Sequence, residues 1–355
     1  MVRLSNMMLF FDQYLHKTTI QALGLFFLLK LSLLLGIHFF SVGSSFNPYY
    51  YSDNTAFLIQ DTNLFKANYG YANYVKWVFG GGIGGTDVAK LSPPVFSLLG
   101  HCLFVFAVLN KFKEVSSISK FVFVAFLALH PYVALHDLKV QPNIILGFIL
   151  AIFIFSFDKK NIGWTLFVSV AVVLATIWRP SFGAMSFGFY FILMLCNKNL
   201  QYCLPTILAG LSAGYYSFEY SGRLLAAMHA YDNVQVAISV EYAQQIARNI
   251  WFSLFAREKY LTMGIEYFWA EPFIVKIVII AVFIFHVLSI AFYFLCMRFR
   301  PLLVALFFTT APIALSWFTI SSMRYLIPYI PILTLSWLFV ERFVKNTICS
   351  RDSDC

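Results

Sequence analysis

About ten apolar stretches divide this chain of 355 residues, and they constrain its fold more than any other feature. They lie at about 20–40, 93–110, 121–135, 142–157, 163–178, 182–196, 203–218, 272–296, 301–319 and 325–341. A membrane helix needs about 20 mostly apolar residues to cross the hydrocarbon of a bilayer. The expected fold class is therefore all-α: a polytopic integral membrane protein of about ten transmembrane helices, one transmembrane domain over 1–355. Composition agrees, with 60% of residues hydrophobic, 12% charged and 41 phenylalanines. A soluble domain is roughly half apolar and a quarter charged, and has nowhere to hide that surface.

The formal charge of +9 would suggest nucleic acid in a soluble protein. No basic stripe with stacking aromatics exists, so a nucleic-acid partner is rejected. Lysine and arginine instead cluster at the cytoplasmic ends of membrane helices. With the N-terminus in the cytoplasm and spans alternating, the inner side collects Arg3, Lys17, Lys111, Lys113, Lys120, Lys159, Lys160, Lys198, Arg298, Arg300, Arg342, Lys345 and Arg351. The short outer connections hold only Lys139, Arg179 and Arg324. Both termini are then cytoplasmic, and two long loops, about 41–91 and 219–271, are outside. The first apolar run has no cleavage site and reads as an uncleaved span. Six cysteines without a C-x-x-C pair argue against a disulfide framework or a metal site. No internal repeat is present. A cluster at Gly80–Gly85 lacks the Lys-Ser/Thr of a phosphate loop and reads as a turn. Lys30, inside the first span, reads as snorkelling or facing the bundle.

The first outer loop opens with Ser44–Ala56, SSFNPYYYSDNTA, which holds Tyr51 and the first acid past the span, Asp53. Asp61 follows. The assignment brings other ionisable residues to the same face: His136, Asp137 and Lys139 between spans 3 and 4, Arg179 between spans 5 and 6, Glu219 and Arg223 after span 7, and Arg324 with Tyr325 between spans 9 and 10. Charges near hydrocarbon are costly unless they pair or line a wet cavity, so several at one face suggest one shared site. Each also has a plainer use. Arg179 or Arg324 can hold a lipid headgroup, Asp137 and Lys139 can form a solvated turn, and His136 can be a satisfied turn residue. Asp53 can cap a helix over Asn54–Ala67, and the tyrosines can form an interfacial belt.

The set has a chemical use: a carboxylate takes the proton of an acceptor hydroxyl, arginines grip a phosphate, and aromatic rings stack on a sugar. Four patterns carry a family likeness: Tyr49-Tyr50-Tyr51-Ser52-Asp53, Ser92-Pro93-Pro94-Val95-Phe96, Trp178-Arg179-Pro180-Ser181, and Arg324-Tyr325-Leu326-Ile327-Pro328-Tyr329-Ile330-Pro331. In these, and in its layout, the chain resembles the GT-C superfamily of membrane glycosyltransferases. The resemblance implies a polyprenyl-phosphate-linked sugar as donor and a glycan or lipid as acceptor. It also implies a catalytic Asp in the first outer loop, Asp53 with Asp61 second. Members often carry a paired acidic motif there; here Asn54 follows Asp53. No organic cofactor is implied, and a divalent metal only in some branches, for which the sequence offers no ligand set. The other readings are an O-antigen or exopolysaccharide polymerase and a lipid-linked sugar transporter or flippase. The expected place is a bacterial inner membrane.

Overall fold

The computed structural model describes residues 17–41, 69–79, 91–138, 142–159, 161–197, 199–215, 244, 272–297, 300–309 and 330–339. Every regular element among them is helical. In chain order these are α1 (Lys17–Ser41), α2 (Tyr69–Phe79), α3 (Ser92–Lys111), α4 (Ser117–Ala128), α5 (Pro131–Leu138), a 3-10 turn (Pro142–Ile145) leading into α6 (Leu146–Asp158), α7 (Ile162–Trp178), α8 (Pro180–Asn197), α9 (203–215), α10 (Phe273–Met297), α11 (Pro301–Phe308) and α12 (Ile330–Thr334), which tightens into a 3-10 turn (Leu335–Phe339).

Four helices are long and apolar enough to cross a membrane: Lys17–Phe39, Ser92–Lys111, Pro180–Asn197 and Phe273–Cys296. Their positions correspond to the first, second, sixth and eighth apolar stretches of the sequence. The third stretch is not one straight helix. It breaks after Ala128, and α4 and α5 meet at 50°; counted together they make a fifth span. Pro131 explains the break, because it has no N–H to continue the α4 ladder. Other stretches expected as spans form shorter apolar helices, Asn143–Phe157, Ile162–Trp178 and Ile330–Phe339, each under 18 residues. The described residues thus hold four or five full-length spans plus shorter apolar helices. The second outer loop, apart from Gln244, and the segment Asn54–Ala67 lie outside the described residues.

Helix ends follow local chemistry. Ser116 caps α4 by accepting from Ser119 N at 3.3 Å, and Asn161 caps α7 by accepting from Trp164 N at 2.7 Å. Proline occupies the first turns of α3 and α11.

The outside of the bundle is apolar and part of its inside is polar, the reverse of a soluble protein. Phe27, Leu28, Leu35 and Phe39 on α1 and Ile274, Ile277, Ile284 and Phe294 on α10 are exposed, whereas Lys30, His101, Asp137 and His286 are buried. Lipid can cover the first group; the second must be satisfied within the protein. Hydroxyls inside the helices return to carbonyls one turn back, as from Ser156 to Ile152 at 2.7 Å and from Thr176 to Val172 at 2.8 Å.

One continuous apolar core runs from Ala22 to Phe339. Within it α3 packs most closely on α6, and α1 on α4, α3 and α5. Small residues allow the first contact. A Cβ on Gly147 of α6 would fall on the Gly100 carbonyl of α3, so the two backbones touch there. The chain ends of several elements meet at one end of the bundle. Arg300, at the start of α11, lies over the rings of Phe112 and Phe339, at 5.6 and 3.9 Å from their centroids. Lys111 lies 4.3 Å from the Phe157 centroid, and Lys120 donates to the Lys113 carbonyl at 2.7 Å. The starts of α3, α6 and α8 and the end of α7 lie at the opposite end, where α2 also packs against α7.

Candidate functional site

Arg179 is the single residue joining α7 to α8, and the sequence dictates its conformation. Pro180 excludes the helical region for the residue before it, and Arg179 is extended at φ −156° and ψ 123°. Its N–H still closes α7 by donating to Ala175 O at 2.9 Å, while its carbonyl accepts from Phe182 N at 2.9 Å to open α8. The side chain is half-buried and donates from Nη1 to Asn143 Oδ1 at 2.9 Å. Asn143 stands in the 3-10 turn before α6.

The neighbouring Trp178 forms the floor of an aromatic cluster. Tyr71 and Tyr74 of α2 lie against it, with ring centroids at 6.0 and 5.5 Å. Trp77 and Phe96 flank Tyr74 at 6.0 and 6.3 Å, and both are exposed. Gly70 lets α2 come this close, since a Cβ there would sit 3.0 Å from Trp178 Cα. Tyr74 Oη and Ser92 Oγ share a hydrogen bond of 2.7 Å, tying the loop helix to the start of α3. Three segments distant in sequence therefore meet: Tyr71 and Tyr74 of α2, the Ser92-Pro93-Pro94 opening of α3, and the Trp178-Arg179-Pro180 link; Tyr49–Asp53 lies outside the described residues.

Burial pushes the Tyr74 phenol up from 10.0 to about 12, with the Ser92 hydrogen bond acting in the opposite sense. The unfolded chain ionises first, so Tyr74's contribution to stability is intact below about pH 10 and is lost as pH rises toward 12. Tyr74→Phe should remove about 1 kcal/mol through the lost hydrogen bond. Alkaline unfolding curves should also lose part of their slope over that window in the variant. Unchanged stability and slope would show that the Ser92 contact contributes nothing.

About five residues, or roughly 7–8 Å, further along α3 lies a second cluster, inside the bundle. Asp137 of α5 accepts from Ser97 Oγ at 2.5 Å through Oδ1. Its Oδ2 stands 2.5 Å from Lys30 Nζ of α1 and 3.7 Å from His101 Nδ1 of α3. Lys30 is 0% and Asp137 and His101 are each 5% exposed. The Lys30–Asp137 contact is not aligned as a hydrogen bond, so it is coulombic, and Nζ, Oδ2 and His101 Nδ1 make no hydrogen bond. A third polar contact lies at the α4–α5 break, where His130 Nε2 and His286 Nε2 of α10 are 3.1 Å apart, both rings buried.

Of the candidate site residues named from sequence, three are described. Arg179 lies at the bundle end, as expected of a helix link. His136 and Asp137 are not in an open connection between spans but on α5, and both are buried. Asp137 spends its carboxylate on Ser97 and Lys30, and forms no ion pair with Arg179. Tyr51, Asp53, Asp61, Lys139, Glu219, Arg223, Arg324 and Tyr325 lie outside the described residues. Sequence reasoning missed Asn143, Ser97, His101 and the His130–His286 pair. A usable signal was present, since Lys30, His101, His130 and His286 are each single ionisable residues in apolar surroundings and so each needs an interior partner. Among the described residues no three His, Cys, Asp or Glu side chains gather as a metal-binding group.

No protein-family model matches the chain, and neither a curated protein nor a solved structure matches it significantly.

Proposed function

We propose that the chain is a membrane glycosyltransferase of the GT-C kind. It would move a sugar from a polyprenyl-phosphate donor to a glycan or lipid acceptor on the outer, periplasmic face of a bacterial inner membrane, in surface-polysaccharide synthesis. The observation that supports this reading is the meeting of Arg179 and Asn143 with the Trp178–Tyr74–Ser92 cluster at one end of the bundle. Lys111, Lys113, Lys120 and Arg300 gather at the other end, which suits a cytoplasmic side.

In this reading Asp53, with Asp61 as second candidate, takes the proton of the acceptor hydroxyl. The hydroxyl oxygen attacks the anomeric carbon from the face opposite the phosphate, the carbon–oxygen bond to phosphate breaks, and polyprenyl phosphate leaves. Inversion follows from that single displacement. Arg179, four of whose five N–H donors are not used by Asn143, holds the phosphate as its charge grows. Arg324 and Arg223 help offset that charge. Tyr51, Tyr325, Lys139 and Glu219 line the substrates, and exposed Trp77 offers a ring face to sugar. Asp137, held by Lys30, braces α5 rather than touching the donor.

The test is transfer from a labelled polyprenyl-phosphate sugar by the full chain in lipid nanodiscs. Asp53→Asn should lower turnover by about 100- to 10,000-fold with unchanged expression, and Arg179→Ala should lower it as well. Undiminished turnover in Asp53→Asn removes Asp53 from the mechanism. Larger losses at Arg223, Arg248 or Arg257 than at Asp53 favour the polymerase.

One observation supports a second reading, a lipid-linked sugar flippase. Such a protein needs polar groups within the bilayer, and the bundle interior holds Lys30, Asp137, His101, His130 and His286. Movement of a labelled lipid-linked sugar across proteoliposomes without transfer to any acceptor would select it.

A further inference from the structure

The interior charges at Asp137 call for more than a pin between helices. Ser97 donates to one carboxylate oxygen and Lys30 balances the charge of the other without a hydrogen bond. Yet His101, buried on α3, brings Nδ1 to 3.7 Å from the same Oδ2, and neither atom has a hydrogen bond. With the neutral ring's proton on Nε2, two acceptors face each other across that gap, and a proton taken up at Nδ1 would join them; with the proton on Nδ1, the neutral ring would itself donate to Oδ2.

We propose that Asp137, Lys30 and His101 form an intramembrane proton-binding site, one carboxylate shared between two bases, in which His101 takes up a proton that Asp137 then holds. The step balances simply. The His101 Nδ1 lone pair accepts one proton from the medium, no bond within the protein breaks, and the imidazolium N–H donates to Asp137 Oδ2. Before uptake the cluster holds Lys30 as ammonium, Asp137 as carboxylate and His101 neutral, with no net charge. After uptake its net charge is +1. Closing 3.7 Å to a charge-assisted hydrogen bond needs a ring movement of about 1 Å.

Among the described residues, the groups around the site come from each element packed on it. Lys30 faces it from α1, and Cys102 on α3 is within electrostatic reach of Lys30. His136 adjoins Asp137 on α5. His130, at the α4–α5 break, also feels Lys30 and is bonded to His286 of α10. Among the described residues no second carboxylate is near, and Asp137 is the acid that faces the incoming charge. Ionisable residues held in membrane helices commonly mark such proton sites, because burial is too costly to be kept without use. The proposal is independent of the sugar chemistry at the bundle end.

The test is solid-state nitrogen NMR of the full chain, histidine-labelled, in lipid bilayers, with His101→Gln identifying the His101 signals. As pH falls, the wild type should gain the doubly protonated imidazolium signature at His101, one per chain. Asp137→Asn should abolish it. Should that variant fail to fold, Lys30→Met with Asp137→Asn leaves no buried pair of charges and should abolish the signature equally. A His101 that stays neutral wherever the wild type is folded overturns the proposal. So does one that titrates unchanged in the variant without the carboxylate.

Discussion

Leucine in place of Asp137 is expected to destabilise the protein by about 3–5 kcal/mol, because it leaves the Lys30 ammonium buried without a counter-charge. Lys30 is 0% exposed and its ammonium stands 2.5 Å from Asp137 Oδ2, so no water can take the carboxylate's place without opening the bundle. The paired change Lys30→Met with Asp137→Leu should recover most of that loss. Two apolar side chains of similar volume carry no desolvation cost, and a buried pair is often replaceable in this way with little change in stability. Thermal unfolding of the four proteins of this double-mutant cycle, in one detergent and at one pH, measures the coupling. A single variant as stable as the wild type would mean that Lys30 reaches water and that the pair is not enclosed. A double variant as unstable as the single would place the energy in Ser97 and the packing of α5 instead.

Alanine at Gly147 is expected to cost about 1–3 kcal/mol, and leucine there more, through overpacking. The two glycines at the α3–α6 crossing are not equivalent. A Cβ on Gly147 meets the Gly100 backbone, which cannot rotate away, so the helices must part. A Cβ on Gly100 meets mainly the Phe148 ring at 3.0 Å, which can turn at modest cost. Gly100→Ala should therefore be the milder change, and the order of the two melting temperatures is the check. Equal effects, or a harmless Gly147→Ala, would put the helix crossing elsewhere. Asn143 stands four residues before Gly147 and holds Arg179. Parting α3 from α6 should thus also loosen the arginine at the bundle end, and any activity that depends on it.

Much of the fold was legible because its determinants are local. The runs that became α1, α3, α8 and α10 are hydropathic over their own length, and α7 ends where Pro180 follows Arg179. Those features need no partner to be recognised. The α4–α5 break could be read from Pro131 only by setting aside the continuous hydropathy of 121–135. Helix α2 was missed, since its eleven residues are more polar than a span and its fold depends on docking Tyr71 and Tyr74 against Trp178. The candidate site divides in the same way. Arg179 was legible as a helix link, but its partner Asn143 was not, because nothing in the 3-10 turn announces that it will meet the end of α7.

The sequence by itself determined that this chain is helical, that its long apolar helices suit a membrane, and where many of them begin and end. Hydropathy, capping and proline act within a few residues, so composition along the chain is enough. Only the tertiary structure decided that Asp137 turns inward to Lys30, Ser97 and His101 rather than outward with Arg179. A buried charge is tolerable only beside its partners, and those partners come from two other helices, α1 and α3, whose meeting with α5 is set by packing, part of it at Gly100 beside His101.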